Sequence, residues 1–241
     1  EVPNHRAPVS SKQQRARLQK AFGYTYEDVK NNSAVRTYIQ RADESLTALG
    51  YTEHSFAHVG LVAANSKYIL ETLGYTPREV ELVQIAAYLH DIGNLVNRID
   101  HSQSGAVMAF RLLDHLHMDP LDIAEVVTAI GNHDEGTGTP VSPMAAALIL
   151  ADKSDVRRSR VRDKATVALD IHDRVNYSVT DCHLEFDEQH TSIRLILTVD
   201  TELGSVMEYL EIFMKRMLLC QKAAQALGLT FHLVINGQLL V

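Results

Sequence analysis

The chain has 241 residues, 46% of them hydrophobic, and a net charge of −7. That is enough for a sizeable core in one large domain, or one domain with a smaller appendage, and the acidity argues against a large nucleic acid as partner. Two distant cysteines, Cys182 and Cys220, exclude a disulfide framework or zinc ribbon and point to a reducing, cytoplasmic setting; the first residues lack the apolar core of a signal peptide, and the longest apolar run, "MAAALILA", is too short to span a bilayer, so no membrane is expected.

The first ten residues read as a tail, followed by a short basic helix over Ser11–Phe22 that carries Arg15, Arg17 and Lys20. Ser33 is placed to cap a helix running to Leu49, with Gly50 as its stop. A further helix is predicted from about Thr52 to Leu73. "TPREVELVQIAAYLHDIG" reads as another, with Thr76 as cap and Pro77 in the first turn. One more is expected over Ser102–Leu116, and Asp119-Pro120 repeats the cap-then-proline device before "LDIAEVVTAIGNH". A last helix of this set starts near Pro143 and is expected to run on through "DKSDVRRSRV". Helical period therefore dominates to about residue 175. Then Ile193, Leu195, Leu197 and Val199 alternate as in a strand, residues 201–227 return to helical period, and Asn236-Gly237 between apolar runs is a hairpin signal. The fold class is mainly α. Residues 1–32 form a tail with a short helix, 33–175 an all-α domain, and 176–241 a small α+β appendage expected to pack and self-associate as a homodimer rather than to supply chemistry.

Twelve histidines are unusual for this length. In "AAYLHDIGN", His90 and Asp91 arrive on an apolar run, where ionisable groups need partners. His58, His101, His133 and Asp152 each lie near a predicted helix end or on an apolar face. Together these six make a ligand set suited to Mn, Fe, Co, Ni or Zn rather than calcium. His54 could share the face of His58 but reads as a supporting or surface residue; His172 has no recognisable context.

His58, then "HDIGN", then Asp152 in "LADKSD" resembles the HD-domain superfamily of metal-dependent phosphohydrolases over roughly residues 35–165. "HSQSG" and "NHDEGTGTP" are similar to segments of the HD-GYP branch, although Asn94 and Asn132 depart from it. The order is also similar to that of the HD-type dinucleoside-tetraphosphate hydrolases. The resemblance implies an all-α HD bundle binding one or two divalent transition-metal ions. His58, His90, Asp91 and Asp152 would hold the first ion, and Asp91 would bridge to a second held by His101 and His133. Two cations about 3.5–4 Å apart would neutralise phosphoryl oxygens, acidify water and align attack. Asp91 and Lys153 are the expected catalytic residues. Lys153 and Arg157, four apart on one expected helix face, are the expected ligands of substrate phosphate. The expected activity is hydrolysis of a phosphodiester, phosphoanhydride or phosphomonoester in a nucleotide-like small molecule. The alternative is a non-catalytic or weakly catalytic nucleotide-binding, signalling module.

Overall fold

The computed structural model describes residues 23–167 and 170–240; the helix expected over Ser11–Phe22 lies outside them. Nine α-helices are found among the described residues: α1 (Tyr26–Asn31), α2 (Ser33–Ala48), α3 (Phe56–Thr72), α4 (Pro77–Leu89), α5 (His101–His115), α6 (Pro120–Gly131), α7 (Pro143–Lys153), α8 (Ile171–Ser178) and α9 (Val206–Ala226). Their starts follow local chemistry. Thr76 and Ser205 form capping boxes with Glu79 and Glu208, and Asp119 and Ser142 each cap a helix whose first residue is proline. Asn32, rather than Ser33, caps α2 by accepting from the amides of Ala34 and Val35.

The centre is α7. Every residue from Met144 to Ala151 is buried, so this helix has no solvent face, and it packs against α3, α4, α6 and α9. One continuous apolar cluster runs from Val29 on α1 through α7 to Ile235. Residues 26–31, grouped with the tail on sequence, therefore belong to the helical body. At the other end, α8 straddles residue 176 and the first strand begins only at Val179.

The appendage is a four-stranded sheet backed by α9. Strands β1 (Val179–Phe186), β2 (Ser192–Val199), β3 (Thr230–Ile235) and β4 (Gln238–Leu239) lie in that order. β1–β2 and β3–β4 are antiparallel, and β2–β3 is parallel, with α9 as the crossover. Ile193, Leu195, Leu197 and Val199 are buried, as their alternation predicts. Asn236 and Gly237 both take positive φ, 51° and 78°, the conformation a two-residue hairpin turn requires. The Asn236 side chain also clamps β2, accepting from Val199 N at 2.8 Å and donating to Val199 O at 3.0 Å. Among the described residues, no helix is long and apolar enough to cross a membrane.

α9 begins at Val206 rather than 201, and two other helices are shorter than their periodicity predicts for one shared reason. α3 begins at Phe56 rather than Thr52, and α7 ends at Lys153 rather than continuing through the arginines. The two freed segments pair with each other: Glu53 N donates to Arg160 O at 2.9 Å, and Arg160 Nε donates back to Glu53 O at 2.9 Å. Long-range pairing has overridden local helical preference.

The "HDIG" turn (Ile92–Leu95, one 3₁₀ turn) presses directly on α5. A Cβ at Gly93 would lie 1.9 Å from the carbonyl oxygen of His101 and 2.5 Å from the amide of Gly105. Only glycine allows that approach, and the obstacle is backbone, which cannot rotate away. Gly93→Ala is expected to destabilise the chain by about 3 kcal/mol or more, at or beyond the upper end of overpacking costs. Urea unfolding of the purified variant measures this; a midpoint equal to the parent's would contradict the packing described.

Candidate metal centre

Four imidazoles and two carboxylates converge between the C-terminal ends of α4, α6 and α7 and the N-terminal ends of α3 and α5. His58, His90, Asp91, His101 and His133 are all buried. His58 Nε2 lies 3.3 Å from Asp152 Oδ1 and 3.5 Å from Asp91 Oδ2. His90 Nε2 lies 3.3 Å from Asp91 Oδ2 and 3.5 Å from Asp152 Oδ1. The other Asp91 oxygen, Oδ1, faces His101 Nε2 at 3.5 Å, and His101 Nε2 is 3.2 Å from His133 Nε2. All six residues expected from the sequence are brought together.

The orientation of each ring is fixed from behind. Nδ1 of His90 donates to Ala87 O (2.7 Å), Nδ1 of His133 to Ile130 O (2.6 Å), and Nδ1 of His101 to Arg98 O (3.1 Å). Nδ1 of His58 donates to the Asp155 carboxylate at 2.7 Å. Carbonyl and carboxylate oxygens only accept, so each Nδ1 carries the proton and each Nε2 points inward. Asp91 is set by Asn94, whose Nδ2 donates to Asp91 O (2.9 Å) and Oδ1 (3.0 Å). Asp100, at φ 56°, takes a left-handed conformation that aspartate tolerates, and this turns the chain so that His101 opens α5.

This arrangement fits divalent cations. His58 Nε2, His90 Nε2 and Asp91 Oδ2 are buried with no hydrogen-bond partner. Two atoms that share one tetrahedral ion at about 2.1 Å stand about 3.4 Å apart, the scale of the separations found here. His58, His90 and Asp152 form one candidate ligand group, and His90, Asp91 and His133 a second. Between them and their neighbours lies a gap of about 10 Å³, close to the space of a single water or ion.

In the absence of a cation, protons take over the charge balance. Burial and Arg160 disfavour the His58 imidazolium, but the carboxylates of Asp152, Asp155 and Asp91 around it raise its pKa to about 9. Burial likewise opposes the His90 imidazolium, yet Asp91 and Asp152 raise it to about 10. Burial, opposed by Asp91 and reinforced by Arg98, lowers His101; burial together with the His90 charge holds His133 well below the usual range. Burial by itself would raise both carboxyls; the neighbouring His90 and His58 rings hold Asp91 low, and Lys153 with the same two histidines holds Asp152 low.

The two cations expected to meet substrate phosphate sit differently. Lys153 is buried, with Nζ 2.7 Å from Asp152 Oδ2 and 2.6 Å from Glu135 Oε2. It borders the gap, but its charge is committed to orienting Asp152. Arg157 is not at the cluster. Because α7 stops at Lys153, the four-residue spacing never becomes a shared helix face. Arg157 instead grips both oxygens of Asp155, with Nη2 2.9 Å from Oδ2, and lines a different cavity of about 510 Å³.

Sequence reasoning missed four contributors. Asp155, three residues past Asp152 in "ADKSD", tethers His58. Glu135, in the "NHDEG" loop, bridges Lys153 and Arg216, whose Nε donates to it at 3.0 Å. Arg98 and Arg216 both border the gap. Arg216 lies on α9, so the C-terminal appendage does reach the site, contrary to the expectation that it supplies only packing. Asp155 carried a faint signal in its spacing; Arg216 carried none.

A helical bundle that buries convergent imidazoles and carboxylates around a gap of ion size has the arrangement of a histidine–aspartate metal site. Residues 55–176, just over half of the chain, match the HD domain family, and the chain belongs to that family. It is also 27% identical over 210 residues to an uncharacterized protein of Methanocaldococcus jannaschii, an alignment covering 77% of this chain and 80% of that one. A crystal structure described as a predicted HD superfamily hydrolase from an uncultured Thermotogales bacterium aligns with 25% identity and a TM-score of 0.42, over 52% of this chain and 67% of that one.

Cation binding at Nε2 must displace the protons that His58 and His90 hold near neutrality, because their pKa values stand at about 9 and about 10. Calorimetric titration of the metal-free chain with Mn²⁺ at pH 7.5, in buffers of different ionisation enthalpy, is expected to show release of about two protons. Affinity should rise with pH until both pKa values are passed. The folding contribution runs the other way. These raised pKa values stabilise the metal-free chain fully below the ordinary histidine value of about 6.5, and that contribution is lost as pH rises through about 9 to 10. Proton release near zero would contradict the charge state assigned. Asp155→Asn removes the tether of His58 and is expected to weaken metal binding about 10–100-fold, read by the same titration.

Proposed function

We propose that this chain is a metal-dependent phosphohydrolase that cleaves a phosphate ester or anhydride of a nucleotide-like small molecule, using one or two divalent transition-metal ions. The observation that carries the reading is that two buried, outward-tethered imidazoles, His58 and His90, have inward nitrogens that, with Asp91 Oδ2, lack hydrogen-bond partners. Such atoms are costly unless a cation or a proton completes them. His58, His90, Asp91 and Asp152 are the proposed ligands of one ion, and Asp91, His101 and His133 of a second.

When bound, the ions supply Lewis acidity: they neutralise phosphoryl charge and acidify water near neutral pH. The rest is done by the chain. Asp91 turns one oxygen toward His58 and His90 and the other toward His101, which suits it to link two sites. Asn94 fixes that carboxylate, and Lys153 fixes Asp152, so neither ligand has to reorganise on binding. Lys153 acts in this reading as a positioning residue through Asp152.

The test is metal analysis joined to turnover. The purified chain is expected to carry one or two transition-metal ions per molecule. Asp91→Ala should lose them and lower phosphate-ester hydrolysis by at least about 10²–10³-fold, the scale of removing one electrostatic contact at the reacting group. His101→Ala should lose only the second ion. The panel comprises cyclic dinucleotides, dinucleoside polyphosphates, nucleoside monophosphates and a chromogenic phosphodiester, each with Mn²⁺, Fe²⁺ and Co²⁺. Unchanged metal content in Asp91→Ala would refute the ligand assignment. A metal-loaded chain that binds a nucleotide but turns over nothing on the panel supports the signalling-module reading instead.

A further inference from the structure

Beside the cluster lies a chamber of about 520 Å³, within the range of small-molecule sites. His54, Arg98, Arg160 and Arg216 line it and also border the gap among the candidate ligands, so the two spaces adjoin. Tyr51 and Phe213 add aromatic wall.

The charges in this wall are unequally committed. Arg216 is paired with Glu135. Arg160 donates to Glu53 O at 2.9 Å and to Asp155 O at 2.6 Å, and its guanidinium is 3.9 Å from the Asp155 carboxylate. Arg98 differs. Its Nη1 is 3.3 Å from Asn94 Oδ1 and 3.5 Å from His101 Nε2, and its guanidinium lies over the Tyr51 ring at 5.5 Å. None of these partners is an anion. A half-buried guanidinium with no carboxylate in ion-pair distance among the described residues, next to the inward nitrogen of a candidate metal ligand, is placed to bind an oxyanion in a fork. The far wall carries Asp170 and Asp173 at the start of α8, where Asp170 Oδ1 caps the helix by accepting from the amides of His172 and Asp173. Tyr51, 44% exposed, offers a flat ring beside Arg98.

We infer that this chamber binds a nucleoside phosphate, with Arg98 holding oxygens of the phosphoryl group at the cluster and Tyr51 stacking on the base. A phosphoryl group joined to a flat base is the chemistry that an arginine beside the cluster and an exposed aromatic ring would select. The inference rests on the phosphohydrolase reading for the end of the chamber at which the phosphate lies. It moves the phosphate contact from Lys153 and Arg157, both committed to carboxylates, to Arg98. It also makes Phe213 and Arg216 of α9 part of the binding wall, so the C-terminal appendage completes the site.

The test uses the full chain loaded with Mn²⁺, titrated by calorimetry with adenosine 5′-monophosphate, ribose 5-phosphate and inorganic phosphate. Adenosine 5′-monophosphate is expected to bind about tenfold tighter than ribose 5-phosphate, the scale of one base-on-aromatic stack. Tyr51→Ala should erase that advantage and leave ribose 5-phosphate unchanged. Arg98→Ala should weaken all three about tenfold at unchanged metal content and melting temperature, and Arg98→Lys should restore part of the loss. Equal affinity for the nucleotide and the sugar phosphate, or parent-like binding by Arg98→Ala with metal in place, overturns the inference. The expected binding pattern without hydrolysis of any ester keeps the chamber and removes the phosphohydrolase reading. Hydrolysis without a preference for the nucleotide does the reverse.

Discussion

The rest of this structure depends on the hydrogen bonds that tie each buried imidazole from behind. Burying four histidines among two aspartates is unfavourable unless every polar atom finds a partner. Here the outer nitrogen is always satisfied. For His90 and His133 the acceptor is a carbonyl three residues back, at the C-terminal end of α4 or α6, where the helix has run out of amide donors. A helix end that needs a donor and a ring that needs a fixed tautomer meet each other's requirement. The inner nitrogens are then left facing one another and the carboxylates, the arrangement that a cation would complete.

A second layer of charge holds this arrangement. Asp152, Lys153, Glu135 and Arg216 alternate in sign from the candidate ligands to α9. Asp155 collects His58, Arg157 and Arg160. The basic run after Asp152 is therefore support for the carboxylates that face the cluster, and its charge is largely spent inside the protein. Arg98 stands outside both networks, which is why it, and not the more numerous arginines downstream, is the cation available to a ligand.

The same contacts explain why α9 and the sheet are bound to the helical body. α7 has no polar face, so whatever covers it must bring apolar side chains, and α9 does so with Phe213, Met217, Cys220 and Ala224 buried. These four residues recur at helical spacing on one side of α9. Their neighbour Arg216 escapes from that stripe to the site because a helix that buries one side against α7 turns an adjacent position toward the end of α7, where Lys153 and Glu135 lie.

Most of the architecture was legible in the sequence because it is local. Caps at Thr76 and Asp119, the alternation over β2 and the Asn236-Gly237 turn are set by residues within a few positions of one another. The six candidate ligands were legible because ionisable groups on apolar runs need partners, and their order matched a family pattern. What the sequence could not fix was every feature decided by distant segments meeting. The pairing of Glu53 with Arg160 shortened two helices and carried Arg157 away from Lys153. The commitment of Lys153 to Glu135 depended on a loop whose path no local rule sets. Arg216 reached the site across 81 residues of sequence from Glu135, through the packing of α9 on α7. Local periodicity tells which face of an element is buried; only the packed structure decides what that face, and the charges beside it, will touch.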